Sequence, residues 1–331
     1  MGWWQLNADT LAHSRFVISP LAETFARLKL LHTGDAAHPG ERDWLRGHLP
    51  GYRALLAADP VTDRLIRAGL GREWIADFLT PTPRGGEEFA REVARVRSTP
   101  PDLARAHLRT ALAGPLPAAL DRDDLPERAG ALLEWVWRQT VRPYWERQRR
   151  VLEADVVART ARAGRGGWAS VLDSLRPGRT RWLGQNRLQI NLHEYPPREI
   201  SGADMVFVPV TPQRHGWVSW DDGERYAVIY PCTAVLADTG DRAVPAGLGA
   251  LLGQARAGVL VLLDSPMTTS QLTAVTGQGL GSVGRHLKVL REAGLVGRRR
   301  AGRAVLYGRT AAGDVLVEAA GPGGGRIPSR V

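Results

Sequence analysis

The segment from Thr268 to Thr310 constrains this chain more than any other. Thr268 is followed three residues later by Gln271, the spacing at which a hydroxyl and an amide side chain cap each other's backbone at a helix start. That predicts a helix to about Thr276, ended by Gly277 in the left-handed conformation. A second helix is predicted over about Gly281–Ala293, because Val283, Leu287 and Leu290 repeat at the spacing of one buried stripe. Gly294 ends it, and Leu295 stands where an apolar contact accompanies such an end. Two strands, about Leu295–Arg299 and Ala304–Arg309, then flank Arg300-Ala301-Gly302-Arg303.

Helix, tight turn, helix and basic hairpin together predict a winged helix-turn-helix, whose second helix fits a major groove. Candidate DNA contacts are Thr269 and Ser270 at the start of the first helix. On the second helix they are Gly281, Arg285 and Lys288 on the open side, with Ser282 and His286 on its flanks. In the hairpin, Arg298, Arg299, Arg300 and Arg303 suit phosphates or a minor groove. An exposed helix face that binds protein or RNA is the alternative. Charge favours duplex DNA: of the net +10, +7 falls from Leu248 onward. Only Lys29 and Lys288 are lysines, and this arginine bias does not account for the asymmetry.

The run Gly284-Arg285-His286-Leu287-Lys288-Val289-Leu290-Arg291-Glu292-Ala293-Gly294-Leu295-Val296, with the arginine-rich hairpin after it, resembles the DNA-binding core of the ArsR-type bacterial repressors. The resemblance covers about Leu248–Ala312. The part beginning Leu11-Ala12-His13-Ser14-Arg15-Phe16 resembles an extension found on some actinobacterial members and implies no activity. Gly281 and Gly284 depart from the polar residues many relatives carry at the start of this helix, which leaves fewer side chains for reading bases. Metal sensing is the role the resemblance most readily suggests, and the sequence argues against it. A thiolate site would need cysteines near Leu272, and the one cysteine is Cys232. A site on the last helix would need histidines after Thr310, whereas the eight are His13, His32, His38, His48, His107, His193, His215 and His286. Neither a metal nor a cofactor is expected.

Ahead of the motif the pattern is mostly helical. Leu21, Phe25, Leu28 and Leu31 predict a helix over Pro20–His32, and the glycines and prolines of 34–51 predict a loop. Short helices are predicted at Val61–Arg67, Arg72–Leu79, Glu87–Arg97 and Asp102–Ala113, and a long one over Leu125–Ala163 that Pro143 interrupts. Trp168–Leu175 adds another. From Arg179 the period changes to two: residues 188–192, Met205–Val210 and a hairpin of Trp217–Trp220 with Arg225–Tyr230 predict three or four antiparallel strands. Residues 238–247 suit a linker, and one helix from Leu248 to Leu262 should pack under the motif. The fold class expected is α+β. A largely helical N-terminal domain (1–240; helices to 175, strands 180–235) with a small antiparallel sheet precedes a winged helix-turn-helix at 248–312 and a tail at 313–331, expected to be disordered from Gly321.

Enzyme signatures are missing. No Gly-rich phosphate loop or Gly-x-Ser-x-Gly occurs, and His193-Glu194 lacks the second histidine of a zinc helix because position 197 is Pro197. The chain is expected not to be an enzyme. With no signal peptide and no apolar run of ~20 residues, the expected location is the cytoplasm, away from membranes. Trp135, Trp137 and Trp145 cannot share one stripe of a continuous helix, so some of that surface should face a second copy of the chain or a small apolar effector, unless it fills an aromatic core. The function these features point to is a homodimeric DNA-binding transcription regulator, a repressor. A winged-helix module for protein or RNA, or an enzyme with a regulatory tail, is the rival.

Overall fold

The computed structural model describes residues 2–36, 39–176, 178–193, 195–211, 215–221, 223–232, 244–263, 266–276, 278–301 and 304–320. The chain divides into two compact units, Met1–Cys232 and Thr233–Val331.

Unit one opens with β1 (Trp3–Gln5), α1 (Ala8–His13) and β2 (Arg15–Phe16). Six helices follow: α2 (Pro20–Thr33), α3 (Pro39–Ala58), α4 (Pro60–Gly69), α5 (Phe89–Arg97), α6 (Pro101–Leu112) and α7 (Leu125–Val136). After them come α8 (Trp145–Leu175), β3 (Arg181–Gly184), β4 (Arg187–Gln189), β5 (Arg198–Glu199), β6 (Asp204–Val210), β7 (Trp217–Trp220) and β8 (Arg225–Pro231). Short polar side chains start several helices: Asn7, Ser19 and Asp59 accept from the backbone N–H three residues on, the donors a helix start leaves unpaired. Pro143, which has no N–H, separates α7 from α8 through a π turn (Trp137–Val141) and a 3₁₀ turn (Arg142–Tyr144). Gly167 breaks α8 again with φ 70° and ψ 170°, so the Trp168–Leu175 stretch is a helix of its own.

Two helical expectations change. Residues 39–51 of the expected loop are helical, because α3 runs through them and past Pro50. Pro50 is exposed, while Trp44, Leu45, Leu49, Tyr52, Leu55 and Leu56 pack on the core; burying that face outweighs the hydrogen bond lost at the proline. The helix expected at Arg72–Leu79 is instead a bridge between Leu70 and Ile75 and a 3₁₀ turn at Asp77–Leu79. Gly71 there lies against the Ala111 carbonyl with no room for a side chain.

The sheets are mixed rather than antiparallel. One has the order β3-β4-β1-β5, with β1 antiparallel to β4 and parallel to β5. The other has the order β2-β6-β8-β7, in which β6 runs parallel to both β2 and β8 and only β7 is antiparallel to its neighbour. Residues 1–175 are therefore not wholly helical: β1 and β2 belong to the sheets. Trp4 anchors β1, buried edge-on against Tyr226 at 5.1 Å.

Alternation along β6 and β8 feeds two cores. Val206, Val208, Val210, Ala227 and Ile229 face α2 to α7. Met205, Phe207, Tyr226, Val228 and Tyr230 face Val171, Leu172 and Leu175 of α8 together with Trp4 and Leu188. A sheet covered on both faces needs the continuous apolar run that β6 carries. Tryptophans that the sequence offered to a partner or an apolar ligand meet rings of their own unit. Trp137 stacks on Phe89 at 4.6 Å, Trp145 meets Trp137 edge-on at 5.5 Å, and Trp135 tilts against Tyr52 at 6.4 Å.

Unit two contains α9 (Ala246–Leu252), α10 (Gln254–Leu262), α11 (Thr269–Thr276), α12 (Leu280–Glu292), β9 (Val296–Ala301), β10 (Ala304–Arg309) and α13 (Ala311–Ala319). The single helix expected over Leu248–Leu262 is two, because Gly253 at φ 81° ends α9. The stretch 313–331 is not all tail: Thr310 caps α13, its hydroxyl accepting from Gly313 N at 3.2 Å. Gly277, residues 238–243 of the expected linker and the tail from 321 lie outside the described residues.

Candidate nucleic-acid interface

The capping box forms as the spacing requires. Thr268 N donates to Gln271 Oε1 at 2.7 Å and Gln271 N to Thr268 Oγ1 at 3.2 Å, so two donors at the start of α11 are satisfied reciprocally. Val283, Leu287 and Leu290 are buried on one face of α12, with Leu272 of α11 and Met267. At its end, Leu295 N donates to Leu290 O at 2.9 Å and Gly294 N to Arg291 O at 3.0 Å, with Gly294 at φ 70°. That pair of bonds is the Schellman pattern, which turns the chain sharply into β9.

β9 and β10 pair antiparallel from Val296↔Arg309 to Ala301↔Ala304. Tyr307 also exchanges backbone hydrogen bonds with Met267, 2.7 and 2.8 Å long, so the hairpin is tied to the chain two residues ahead of α11. Thr310 completes the joint, its hydroxyl donating to Gly294 O at 2.6 Å.

Three of the expected contact residues form one open surface. Gly281, Arg285 and Lys288 are exposed at spacings of four and three on α12, opposite the buried stripe. Arg285 has no ion pair among the described residues, and Lys288 Nζ is a loose 3.9 Å from Glu292. Ser282 and His286 are only half-exposed. Ser282 Oγ donates to Gln278 Oε1 at 3.3 Å and lies 3.2 Å from His286 Nε2, where it accepts if that nitrogen carries the proton. Burial, then the Arg256 and Arg285 charges, lower the His286 pKa, which disfavours a charged ring there.

Ser270 is exposed on the first turn of α11, whereas Thr269 is half-buried and its carbonyl accepts from Thr273 Oγ1 at 2.9 Å. Arg298 and Arg299 are both exposed, but successive strand residues point to opposite faces, so one surface cannot take both alike. Arg300 has its backbone in β9 and its side chain outside the described residues, as Arg303 is altogether. Arg256, which sequence reasoning did not single out, is exposed on α10 and near enough to depress the His286 pKa. Its place on a helix next to the motif was the available signal. Among the described residues, no cluster of three or more His, Cys, Asp or Glu is placed to hold a metal, and no helix is long and apolar enough to cross a membrane.

Residues 259–297, from α10 through α11 and α12 to the start of β9, match the family described as bacterial regulatory protein, arsR family. No curated protein and no solved structure matches the chain. Residues 259–297 thus carry the helix-turn-helix of ArsR-type transcription regulators, a DNA-binding motif.

Proposed function

We propose that this chain is a sequence-specific transcription repressor that acts as a cytoplasmic homodimer. It sets α12 into a major groove and uses the β9–β10 hairpin as a wing on the adjacent backbone. The observation that carries this is Arg285: an exposed guanidinium without an ionic partner among the described residues, on the open face of a helix whose other face is buried. A guanidinium there suits a guanine edge, and the exposed Arg298 and Arg299 beyond the turn suit phosphates. One such module reads too few base pairs to single out a genomic site, which is why a two-fold dimer belongs to the proposal. The reading assigns no metal effector, because no cysteine lies near Leu272 and no histidine follows Thr310.

Selection of duplexes from a random library by the full chain tests this. Enrichment of a two-fold symmetric motif, its half-sites ~34–36 Å apart or a multiple of that, supports it. A library that emerges unenriched contradicts it.

A further inference from the structure

Buried charge normally comes with its counter-charge, because an unpaired ion in a protein interior costs several kcal/mol. Unit one departs from that rule at Arg176, where α8 ends beside α2. Between α2, the Leu70–Asp77 turn, the segment after α8 and the start of β7 lies a cavity of about 310 Å³. Lys29 from α2 and Arg176 and Arg179 from the α8 end all line it. Among the described residues none of the three has a carboxylate partner; the charges that act on Lys29 are the other two cations, and Arg176 feels Arg179.

Arg176 is held hard in place. It is 5% exposed, and it donates to Ile190 O at 2.7 Å and to Gly216 O at 3.2 Å, yet its buried Nε has no hydrogen-bond partner. Both acceptors are neutral carbonyls, so they fix the guanidinium without neutralising it. Lys29 Nζ donates to His215 O at 3.1 Å and sits 4.9 Å over the Trp217 ring, again with neutral partners. Burial first, and then Arg176 and Arg179, push its pKa down to about 8; burial and Arg179 lower that of Arg176 to about 10. Cations depressed in this way are short of a negative charge.

The other walls fit the rest of a small molecule. Trp217, Trp74, Leu70, Ile75 and Val218 supply apolar surface, and Asn191 and Thr80 supply neutral hydrogen-bonding groups. Arg72 adds a fourth cation. The acids of the lining are Glu73, which is exposed and 3.7 Å from His193 Nδ1, and Asp77, which burial raises to about 6 and which accepts from Trp74 Nε1 at 3.1 Å. Neither makes an ion pair with Lys29, Arg176 or Arg179. The volume is at the small end of ligand pockets.

We infer that this cavity is a binding site for a small organic oxyanion, a carboxylate or phosphate borne on a compact apolar body. Its charged end meets Lys29, Arg176 and Arg179 and its apolar part lies on Trp217. The site is built from unit one alone and does not depend on the DNA-binding proposal.

Calorimetric titration of the full chain with phenyl phosphate, benzoate, inorganic phosphate and neutral benzyl alcohol tests it. Phenyl phosphate or benzoate should bind, benzyl alcohol should not, and inorganic phosphate should bind more weakly than phenyl phosphate for want of the apolar part. Arg179→Gln, at a half-buried residue with no side-chain partner among the described residues, should weaken the anion at least ~10-fold (~1.4 kcal/mol) without unfolding the chain. Lys29→Met should do the same. Because the wild-type ammonium titrates near pH 8, benzoate affinity should fall between pH 7 and 9 in wild type and stay level in Lys29→Met. Failure of all the anions to bind overturns the inference. So does equal binding of benzyl alcohol, or unchanged affinity in both variants.

Discussion

Met267 and Tyr307 exchange two backbone hydrogen bonds, 2.8 Å from Met267 N and 2.7 Å from Tyr307 N. They make Met267, two residues before α11, a third, one-residue partner of the β9–β10 hairpin. Thr268, the next residue, closes the capping box, so hairpin and helix-turn-helix start from one fixed point. Whatever α12 meets, the hairpin is carried with it.

Arg285 and Arg299 are predicted to differ in kind. Arg285→Ala should cost ~1–3 kcal/mol on the selected duplex and flatten preference at one base position. Arg299→Ala should weaken selected and random duplex alike and reduce the salt slope by ~1. Fluorescence anisotropy on both duplexes checks this, and equal losses on the two for Arg285→Ala would reduce it to a backbone contact.

Thr268→Ala leaves Gln271 N without its acceptor and should destabilise unit two by ~0.5–2 kcal/mol, measured by urea unfolding. Gly294→Ala has open space around it, so its cost is backbone strain alone at φ 70°, about 1–2 kcal/mol. Stability unchanged by either substitution would mean that these ends do not hold the motif.

The folding of unit one should depend on pH through Glu92. Its Oε2 accepts from Leu21 N at 2.7 Å, its Oε1 is buried with no hydrogen bond, and burial pushes its pKa up to about 7. A carboxyl raised in the fold binds its proton there at a pH where the unfolded chain has lost it. Stability from this group is therefore present near pH 4.5 and falls as pH rises to about 7. Glu92→Gln should remove that slope and gain ~1–3 kcal/mol over wild type at pH 8 relative to pH 5. Melts of both proteins across pH read the difference; parallel curves would contradict it.

Neither Zn²⁺ nor arsenite should change DNA affinity, since no thiolate lies near Leu272 and no histidine follows Thr310. A metal-dependent loss of binding that a chelator reverses would refute this.

What the sequence made legible was local. The Thr268–Gln271 box, the Val283-Leu287-Leu290 stripe and Gly294 each act within one helix, so their spacing carries the structure. The errors were tertiary. Pro50 and Gly47 read as loop because nothing local shows the core that Tyr52 and Leu56 bury against. Strands of two or three residues such as β1 and β2 are too short for alternation to mark, and their partners lie at 187–189, 198–199 and 206–207. The unbroken apolar run Met205–Val210 did hold a signal for parallel pairing, since it suits a strand covered on both faces. At the interface, the exposure of Arg285 followed from helical phase, whereas the mutual contact of Ser282 and His286 needed side-chain geometry. No pattern joins Lys29 to Arg176, because the cavity that unites them exists only once α2 and the end of α8 meet.

The measurement that bears most directly on the central claim is the affinity of the full chain for its selected duplex and for a scrambled one at several salt concentrations. Tighter binding of the selected duplex throughout is predicted, with log K falling linearly against log salt at about −0.9 per phosphate contacted. Equal affinity for the two duplexes, or no binding to either at low salt, would contradict it.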